Sequence, residues 1–537
     1  MRTQPASARV VVASGLALLA LFYLLLRLST RFIHGQDHEH RAILGFLGLW
    51  ALASVVYFAA IRAVLRPAFS NPALENAHGW AWTRIWVLFV ALGTRVLLIS
   101  SNPIQEVDYA RYLWDGGVLA HGENPYVYAP EEIEASYAAD PGIGRLQELL
   151  DANSQARLAF SRIEHRGVRT IYPPLAQATF ALSHWIAPWD LHGLRIVFLG
   201  FEIGSILLLF SLLRRLSLPP EWALIYAWSP LAIKELANSP HLDAIVVFCL
   251  ALAAWAWVSE KIPLVAIALG LAVLAKTFPV VLVPAGAVAV ARRKGKYKAF
   301  AFCVVVAAVI FAGYFPFLLT GGWRVFHGLG TFASEWRQNG SIYPLVESLA
   351  GSIFGLHGAW TLGETTRPVA DWIARFVIGG FVAAASLGAG LWPEGHARFA
   401  TNDAGRRRFL LARWLFIMAV LFFCAPAANP WYVTWLLPFL CVMPVRGLLL
   451  LTATVPFYYL RFYFEYHEEK LAAAGWTPER AFTWTCWFEY APVFLLLAAE
   501  GWLRRRRLFQ QARAVNFAKP QGGQRPCPND SPESTVG

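Results

Sequence analysis

The chain is short of charged residues and of cysteine. Asp, Glu, Lys and Arg make up 15% of its 537 residues, whereas a soluble protein carries about a quarter. This shortage excludes an ordinary soluble protein, because apolar residues reach 57% and apolar runs of near-spanning length recur along the chain. Of the six cysteines, five lie inside apolar runs and Cys527 lies in the C-terminal tail, so neither a disulfide framework nor a zinc site is indicated.

The charge that is present is mostly positive and is concentrated in short loops. The net charge is +12, but the basic residues cluster between apolar runs, where the positive-inside rule expects them. This pattern favours a membrane protein over a nucleic-acid-binding protein. We expect the following clusters on the cytoplasmic side: Arg62 with Arg66, Arg214 with Arg215, Arg292 to Lys298, Arg406 to Arg408, and Arg504 to Arg507.

The apolar runs predict an all-α, polytopic membrane protein with about fourteen transmembrane helices. This number keeps both termini and every basic cluster in the cytoplasm, and it places loops 101–192, 320–368 and 465–479 outside. The first run is longer than a signal-peptide core, lacks an A-x-A-like site and is followed at once by Arg27 and Arg31, so we do not expect it to be cleaved. The predicted spans are 10–28, 42–65, 81–100, 193–213, 220–237, 241–258, 262–276, 278–292, 298–319, 369–392, 409–427, 430–444, 447–464 and 483–503.

The segment 172–188 does not fit this threading. It is apolar enough to cross, but counting it as a span would move Arg214 and Arg215 to the outside. We therefore predict a re-entrant or surface-lying helix, with a spanning helix as the alternative. The predicted organisation is an N-terminal transmembrane hairpin (1–80), a membrane core (81–465), a final transmembrane helix region (466–509) and a disordered cytoplasmic tail (510–537).

The first large external loop carries a pair of carboxylates, Glu106 and Asp108, just after the third span. If residues 107–116 are helical, then Asp108, Arg111, Tyr112 and Asp115 fall on one face and apolar side chains on the other. We predict an interfacial helix with its polar row toward a cleft, and Asp108 ionised at the positive end of the helix dipole. The alternative is that Asp108 is only an N-terminal cap and that Arg111 and Asp115 form a surface ion pair.

Other ionisable residues are expected on the same side. His241 and Asp243 stand at the outer mouth of a span, where charged groups are costly unless they line a cavity. Lys276 interrupts an apolar run at an external turn, where it could hold an anionic phosphate; the alternative is a lysine that snorkels to the interface. Arg337, in an external loop, is a second candidate phosphate partner.

A further external turn is rich in aromatic residues. It contains Asn429, Trp431 and Tyr432 within the segment APAANPWYVTWLLPF. Such residues bind ligands in some proteins and form the interfacial aromatic belt in others. The sequence leaves both interpretations open.

The order of these motifs resembles the GT-C superfamily of integral-membrane glycosyltransferases. The resemblance covers about residues 80 to 465 and is strongest to bacterial polyprenol-phosphate-mannose-dependent mannosyltransferases (glycosyltransferase 87 type), with the first two spans as an extension. It rests on the acidic residue after a span, a G-x-N-P-Y turn ending at Tyr126, a Y-P-P-L segment starting at Tyr172, an H-x-D helix start, a K-x-x-P turn and an N-P-W-Y-x-x-W-x-x-P helix.

This resemblance implies a transferase that moves one sugar, mannose or another hexose, from a polyprenyl-phosphate donor to an acceptor hydroxyl on a glycolipid, glycan or protein, with inversion. It implies the bacterial inner membrane, with the active site facing the periplasm or cell exterior. Asp108 matches the general base, and Lys276, Arg111 and Arg337 are the candidates to hold the donor phosphate. The candidate substrate-binding residues are Glu106, Tyr112, Asp115, Tyr126, Tyr172, His241, Asp243, Asn429, Trp431 and Tyr432.

A divalent metal is the open point in this site. The Glu106–Asp108 spacing is similar to the D-x-D pair of related transferases that use diphosphate donors. We predict no metal and no other cofactor, because lysine and arginine can neutralise a monophosphate donor.

Two other functions and a non-catalytic scaffold remain as alternatives. A flippase or transporter of lipid-linked sugars predicts repeated halves and mid-bilayer charges, and neither is evident. An O-antigen-type ligase predicts a large external loop with arginine and histidine, for which Arg337, His327 and His357 are the candidates.

Overall fold

The computed structural model is almost entirely helical. In the part of the chain that it describes, seven helical segments are long and apolar enough to cross a membrane. This confirms the predicted all-α membrane protein; the number fourteen stays a prediction. The seven segments are 7–29, 38–64, 191–215, 296–335, 369–391, 446–466 and 478–503. The described residues are 6–33, 35, 38–66, 79–135, 140–354, 358–362, 365–393 and 403–517.

Three helices form the N-terminal part of the chain, and their bounds match the first three predicted spans. The helix α1 packs against both of the others, so that the predicted hairpin is joined to the third span. A short 3-10 turn, His38–His40, lies between the first two helices. The three helices are α1 (Ala6–Ser29), α2 (Ile43–Val64) and α3 (Gly79–Leu98).

Five short helices occupy the large loop that follows: α4 (Asp108–Ala120), α5 (Pro130–Ala135), α6 (Pro141–Ala152), α7 (Ser154–Ser161) and α8 (Pro174–Ile186). None of the five is long enough to cross a bilayer. The helix α8 begins with Pro174 in its first turn, which suits a helix start. With 13 residues it is about 20 Å long, against about 30 Å of hydrocarbon. This length favours the re-entrant or surface helix over a span.

The helix predicted over residues 107–116 is α4, but its apolar face does not contact lipid. Residues 109–118 of α4 are all buried, so its apolar face is covered by protein and not by lipid. Trp114 packs against Phe160, with ring centroids 4.6 Å apart. A methyl group on Gly117 would lie 2.0 Å from the Trp189 ring. The prediction of a membrane-facing side was therefore wrong, because helical periodicity identifies an apolar face but not what covers it.

The middle of the chain contains six further helices and several helix breaks. The predicted spans 220–237 and 278–292 are not continuous helices, because prolines interrupt them. A 3-10 turn (Pro220–Ala223) and a π-helical turn (Ile233–Asn238) lie in the first, and a 3-10 turn (Phe278–Leu282) in the second. The helices are α9 (Leu191–Arg215), α10 (Leu224–Ala227), α11 (Pro230–Ala232), α12 (Asp243–Val258), α13 (Ile262–Ala275) and α14 (Val283–Lys294).

The last part of the chain continues the helical pattern. A single β-hairpin in the described residues pairs β1 (Ala359–Leu362) with β2 (Thr365–Pro368), with Trp360 opposite Arg367. Further 3-10 turns occupy Gly322–Phe326, Pro430–Leu436 and Val455–Tyr459. The helices are α15 (Lys296–Gly321), α16 (His327–Glu335), α17 (Tyr343–Phe354), α18 (Val369–Leu391), α19 (Asp403–Cys424), α20 (Leu437–Leu440), α21 (Arg446–Thr454), α22 (Leu460–Tyr466), α23 (Glu468–Ala473) and α24 (Pro478–Phe517).

The C-terminal helix is longer than predicted. Because α24 ends at Phe517, residues 510–517 are helical, and the prediction of disorder from residue 510 was wrong for them. Residues 518–537, with Cys527, lie outside the described residues, as does His357. The other five cysteines are free, in line with the expectation of no disulfide framework.

Candidate active site

Three of the helix breaks, at Phe278–Leu282, Pro430–Leu436 and Val455–Tyr459, border one large cavity of about 1120 Å³. Its wall combines residues 105–108, the turn at Lys276, the aromatic turn at Asn429 and parts of α16, α18 and α22. Backbone breaks inside a membrane protein are tolerated where they line a cavity, because unpaired amide groups then have protein or water partners.

Glu106 and Asp108 have different roles at the start of α4. The Glu106 Oε1 atom accepts the backbone N–H groups of Val107 (2.9 Å) and Asp108 (2.7 Å). Val107 occupies the N-cap position and Asp108 is the first residue of the helix, so the Glu106 side chain, one residue before the cap, supplies the oxygen for the free N–H groups. The alternative that Asp108 is merely the cap is wrong, since Asp108 makes no side-chain cap bond and lines the cavity.

The Asp108 carboxylate is left free for chemistry. It accepts no hydrogen bond from the described residues and faces the cavity. Burial, together with the neighbouring charges of Glu106 and Glu164, raises the pKa of Asp108 to about 7, against the opposing charges of His241 and Lys276. A carboxylate that is free of partners and titrates near neutrality is suited to accept a proton.

Glu106 is held in its charged form by a buried histidine. The Nε2 atom of His241 lies 3.2 Å from Glu106 Oε2 and 3.3 Å from Glu235 Oε2. Burial favours a raised pKa for Glu106, but the His241 charge and the backbone N–H of Asp108 outweigh it and hold this pKa below its ordinary value. His241 also stacks on Trp431, with ring centroids 4.0 Å apart.

Behind His241 lies a second, fully buried set of charges. Lys234 Nζ is 3.1 Å from Glu235 Oε2, and the Tyr459 hydroxyl donates to Glu235 Oε1 at 2.9 Å. These residues are in the π-helical turn and the 3-10 turn near the end of the chain. Buried charges need such pairing. The chain of contacts therefore fixes the position and charge of His241, and through it that of Glu106.

Lys276 is presented to the cavity by Asp243. Its Nζ atom lies 3.1 and 3.0 Å from the two carboxylate oxygens of Asp243, which also accepts the Trp435 indole N–H at 2.7 Å. Lys276 Nζ also lies 4.3 Å from the centre of the Tyr432 ring. Asp243 is fully buried, while Lys276 lines the cavity. This arrangement excludes a lysine that snorkels to the interface.

Most of the predicted substrate-binding residues line this cavity, but four do not. Besides Asp108, Lys276, Arg111 and Glu106, the lining includes Tyr112, Tyr172, Asn429, Trp431 and Tyr432, which favours a binding role for the aromatic turn. The four that lie behind the wall are Asp115, Tyr126, His241 and Asp243. Their expected contact with substrate is corrected to a supporting role.

Those supporting roles follow from hydrogen bonds. Asp115 accepts from Arg111 Nε at 2.9 Å and from Gln177 at 3.1 Å, so the Arg111–Asp115 pair is buried and is not a surface ion pair. The Tyr126 hydroxyl donates to the Tyr172 carbonyl at 2.7 Å, which fixes the Y-P-P-L segment. Helical spacing correctly placed Asp115 on the same face as Arg111. Asp115, however, lies too far along α4 to reach the cavity.

Arg337 was a wrong choice of phosphate partner. It does not line the cavity, and it pairs with Glu347 and, at 3.5 Å, with Asp371. Asp371 instead binds Arg375 Nε at 2.9 Å, and Arg375 does line the cavity. The sequence around a loop arginine does not show which carboxylate the arginine will pair with. Only the fold shows that Arg375, and not Arg337, lines the cavity.

Several lining residues were not predicted: Arg41, Glu164, Arg169, Arg375 and Arg461. They come from loops and from helices far apart in sequence, so no local pattern marks them. The Lys234–Glu235 pair had a signal that could have been used, since two adjacent charges interrupt the apolar run of a predicted span.

The cavity continues as an apolar groove along α18, one of the seven long helices. Its α18 wall runs from Arg375 to Leu387, which is about 18 Å of helix. Gly379, Ala383 and Leu387 are exposed on this wall, so the groove opens at the surface of the protein. The apolar lining consists of Phe278, Val280, Val281, Pro284, Leu329, Phe332, Ala333, Ile378, Gly379, Val382, Ala383, Leu387 and Leu421.

Three residues at the polar end could together hold a metal ion. Glu106, Asp108 and His241 each offer a ligand atom, and these atoms lie within 4.8 Å of one another. Two of the three already have charged partners without a metal, because His241 lies between the carboxylates of Glu106 and Glu235. The expectation of a metal-free site therefore stays a prediction.

No protein-family model matches the sequence, and no curated protein is significantly similar to it. The site must therefore be interpreted from its own residues.

Proposed function

We propose that the protein is a membrane glycosyltransferase. It moves one sugar, mannose or another hexose, from a polyprenyl-phosphate donor to an acceptor hydroxyl, with inversion. One observation carries this proposal: a single cavity joins an unpartnered carboxylate at Asp108, a cation at Lys276 and an apolar groove along a long apolar helix. A ligand with a long hydrocarbon tail and an anionic, sugar-bearing head fits this combination.

The chemistry follows from the two charged groups. Asp108 accepts the proton of the acceptor hydroxyl. At the same time, the oxygen of that hydroxyl attacks the anomeric carbon from the face opposite the phosphate. The bond between the anomeric carbon and the phosphate oxygen breaks, and prenyl phosphate leaves. Lys276 stabilises the negative charge that grows on this leaving group. Asp243 and Trp435 fix Lys276 in place, and His241 with Glu106 fixes the start of α4.

The membrane setting of this proposal is that of the GT-C superfamily. Fourteen crossings, with both termini in the cytoplasm, would put Asp108 at the outer surface of a bacterial inner membrane. Helices or broken helices coincide with all fourteen predicted spans, which supports this threading. The acceptor is then a glycolipid, glycan or protein on the outer face.

The ligase alternative is less well supported. Its candidate residues Arg337 and His327 do not line the cavity, and His327 contacts Arg169 at 2.9 Å. A flippase needs a pathway between two membrane faces, whereas the ionisable groups here gather at one end of a single cavity. Transfer of a single sugar accounts for both the free carboxylate and the groove.

The test of this function is a transfer assay. Membranes that contain the full-length protein receive labelled polyprenyl-phosphate mannose, other polyprenyl-phosphate hexoses or nucleotide sugars, and the glycolipid products are separated. We expect product from a polyprenyl-phosphate donor only, and we expect it to persist in EDTA. Product from a nucleotide sugar alone would refute the donor class, and loss of product in EDTA would show that a metal is required.

The rate should depend on pH through Asp108. A base must be ionised to accept a proton, so kcat/KM should fall about tenfold per pH unit below a pKa near 7 and level off above it. The donor is a phosphodiester that stays ionised in this range. Glu106→Gln keeps an oxygen that can accept the N–H groups at the start of α4, but it removes a negative charge that raises the pKa of Asp108. The fall in kcat/KM should therefore begin at a lower pH in this variant. A profile that is flat between pH 5 and 9, on the order of two units either side of this pKa, would contradict the assignment.

The groove should determine which donors are used. Ala383→Trp places an indole in the groove, while Ala384→Trp, its neighbour on α18, is exposed outside the cavity and serves as the matched control. Each excluded methylene costs ~0.8 kcal/mol, so excluding two lowers kcat/KM for a long-chain donor by about tenfold. A donor with a chain too short to reach Ala383 should be unaffected. Equal effects of both variants on the long-chain donor would argue against the groove.

A further inference from the structure

The cavity receives one cation from the N-terminal hairpin, which the sequence analysis treated as an extension to the core. Arg41 lies just before α2 and lines the cavity. Its Nη1 atom donates to Gln105 Oε1 at 2.7 Å and to the Tyr466 hydroxyl at 3.2 Å. Gln105 is three residues before Asp108, so the hairpin reaches the immediate surroundings of the candidate base.

Arg41 differs from the other cavity-lining lysine and arginine residues in its charge balance. Each of the others has a carboxylate partner within 4.0 Å: Asp115 for Arg111, Glu132 for Arg169, Asp243 for Lys276, Asp371 for Arg375 and Glu465 for Arg461. Arg41 has no such partner among the described residues. Its charge is therefore not neutralised by an ion pair within the described residues.

The unused donors of Arg41 are also arranged for an anion. Both hydrogen bonds come from Nη1, while the buried Nε atom has no hydrogen-bond partner. The Nε–Nη2 edge of a guanidinium donates two parallel N–H groups, which match two oxygens of a phosphate or carboxylate. The Nη2 atom makes no hydrogen bond to the described residues and is not fully buried, so an oxyanion in the cavity can reach this edge through Nη2.

The surrounding residues hold Arg41 in this orientation. The guanidinium lies 5.6 Å from the centre of the Tyr466 ring, and the His38 ring stacks on the Tyr466 ring with centroids 4.8 Å apart. Gln105 donates a hydrogen bond to the Tyr466 hydroxyl at 3.0 Å. Gln105 also has a φ of 51°, in the left-handed region that costs a non-glycine residue free energy and that recurs at functional sites.

This position is not the one expected for the donor phosphate. The donor tail would lie along α18, which packs against α14, α17 and α19, and Lys276 belongs to that wall. Arg41 and Tyr466 belong to the wall made by the start of α2 and by α22, which packs against α2 and α24. The segment 105–108 lies between them, since Gln105 contacts Arg41 and Asp108 is influenced by the charge of Lys276.

We infer that Arg41, oriented by Gln105 and Tyr466, forms a second oxyanion-binding subsite that takes a phosphate group of the acceptor. The assignment to the acceptor rests on the proposed function; the binding of phosphate by Arg41 does not. The acceptor is then an anionic molecule, and its phosphate holds the attacking hydroxyl near Asp108. The phosphate can belong to a lipid headgroup or to a water-soluble sugar phosphate, and both present the same oxygens to the arginine.

The experiment measures binding of radiolabelled inorganic phosphate to the full-length protein in phosphatidylcholine nanodiscs. Lys276→Gln removes the other candidate phosphate site, so the remaining binding reports on Arg41. Adding Arg41→Gln to Lys276→Gln should weaken the remaining binding by about tenfold or more, and Arg41→Lys should restore it only in part. The matched control is Arg324→Gln, which removes an exposed arginine outside the cavity and should change nothing.

Competition then separates the two sources of phosphate. If the acceptor is a lipid, short-chain phosphatidylglycerol should displace the labelled phosphate at concentrations at least about tenfold lower than glycerol 3-phosphate does. Equal displacement assigns a water-soluble acceptor. Either result supports the subsite. It would be overturned if Arg41→Gln with Lys276→Gln bound phosphate with the same affinity as Lys276→Gln alone.

The outcome for Arg41 is separable from the outcome for the proposed function. If the wild-type protein transfers no sugar but phosphate binding depends on Arg41, then the glycosyltransferase proposal fails and the oxyanion subsite stands. If transfer occurs and Arg41→Gln leaves the phosphate affinity unchanged, then the subsite proposal fails and the proposed function stands.

Discussion

Asp108→Asn should abolish nearly all sugar transfer while leaving the protein folded. A positioned general base contributes on the order of 10² to 10⁴ in rate, so we expect kcat to fall by about a thousandfold, or ~4 kcal/mol of transition-state stabilisation. Asparagine has almost the same shape but cannot accept the acceptor proton. The measurement is product formation from a labelled polyprenyl-phosphate donor at saturating donor concentration.

Folding gives an independent readout for this variant. Burial and neighbouring negative charges disfavour the ionised Asp108 side chain, so a neutral amide should leave the melting temperature unchanged or raise it. Donor binding should also persist, because Lys276 and the groove are untouched. Loss of activity together with loss of fold would leave Asp108 as a structural residue only.

Glu164→Gln is the matched control. Glu164 is a second carboxylate on the cavity wall, and burial raises its pKa above the ordinary value, with the Glu106 charge adding to this shift. It belongs to the loop after α7 and not to the first turn of α4. We expect its substitution to change kcat by only about a few-fold. If Glu164→Gln abolishes transfer while Asp108→Asn does not, the two roles must be exchanged.

Lys276→Gln should give the second largest effect, and it should act on two quantities. Loss of one electrostatic contact to the leaving phosphate costs ~3 kcal/mol, or about a hundredfold in kcat. The substitution also leaves the fully buried Asp243 carboxylate without its cationic partner. Breaking a buried pair in this way costs about 3–5 kcal/mol of stability, so the melting temperature should fall as well.

A double variant separates these two effects. Lys276→Gln with Asp243→Asn removes both charges, and the asparagine oxygen can still accept the Trp435 indole N–H. Stability should recover in the double variant, whereas kcat should stay low because the leaving phosphate still has no cation. If kcat recovers together with stability, then Lys276 supports the fold and does not contact the donor.

The helical predictions succeeded where the sequence has long apolar runs. Apolar runs located α1, α2, α9, α15 and α18 to within a few residues, because spanning length and composition suffice for such helices. They failed to show that the segments at 220–237 and 278–292 are broken, although both contain prolines. Those breaks matter, because the π-helical turn holds Glu235 against His241, and the 3-10 turn after Lys276 puts Phe278 on the cavity wall.

The candidate site was predictable only where chemistry and local pattern coincide. Asp108 and Lys276 were found because each is a charge next to an apolar run, which is costly without a function. The same argument applies to Glu235, a charged residue inside the apolar run of the predicted span 220–237. Arg41 and Arg375 could not be found, because a basic residue near a helix end is common and only tertiary packing decides which cavity it reaches.

The predicted faces of α4 illustrate the limit of periodicity. Spacing correctly grouped Asp108, Arg111 and Tyr112, which all line the cavity. It could not show that protein covers the opposite face, where Trp114 packs on Phe160. A hydrophobic face predicts burial but does not distinguish a lipid partner from a protein partner.

The most direct test of the account is an experimental structure of the full-length protein in nanodiscs, with a non-hydrolysable phosphonate analogue of a polyprenyl-phosphate sugar. We predict the phosphonate beside Lys276, the prenyl chain along α18 past Ala383, and the sugar between Lys276 and the Asp108 carboxylate. Ligand bound outside this cavity, or bound within it with its sugar away from Asp108, would contradict the account.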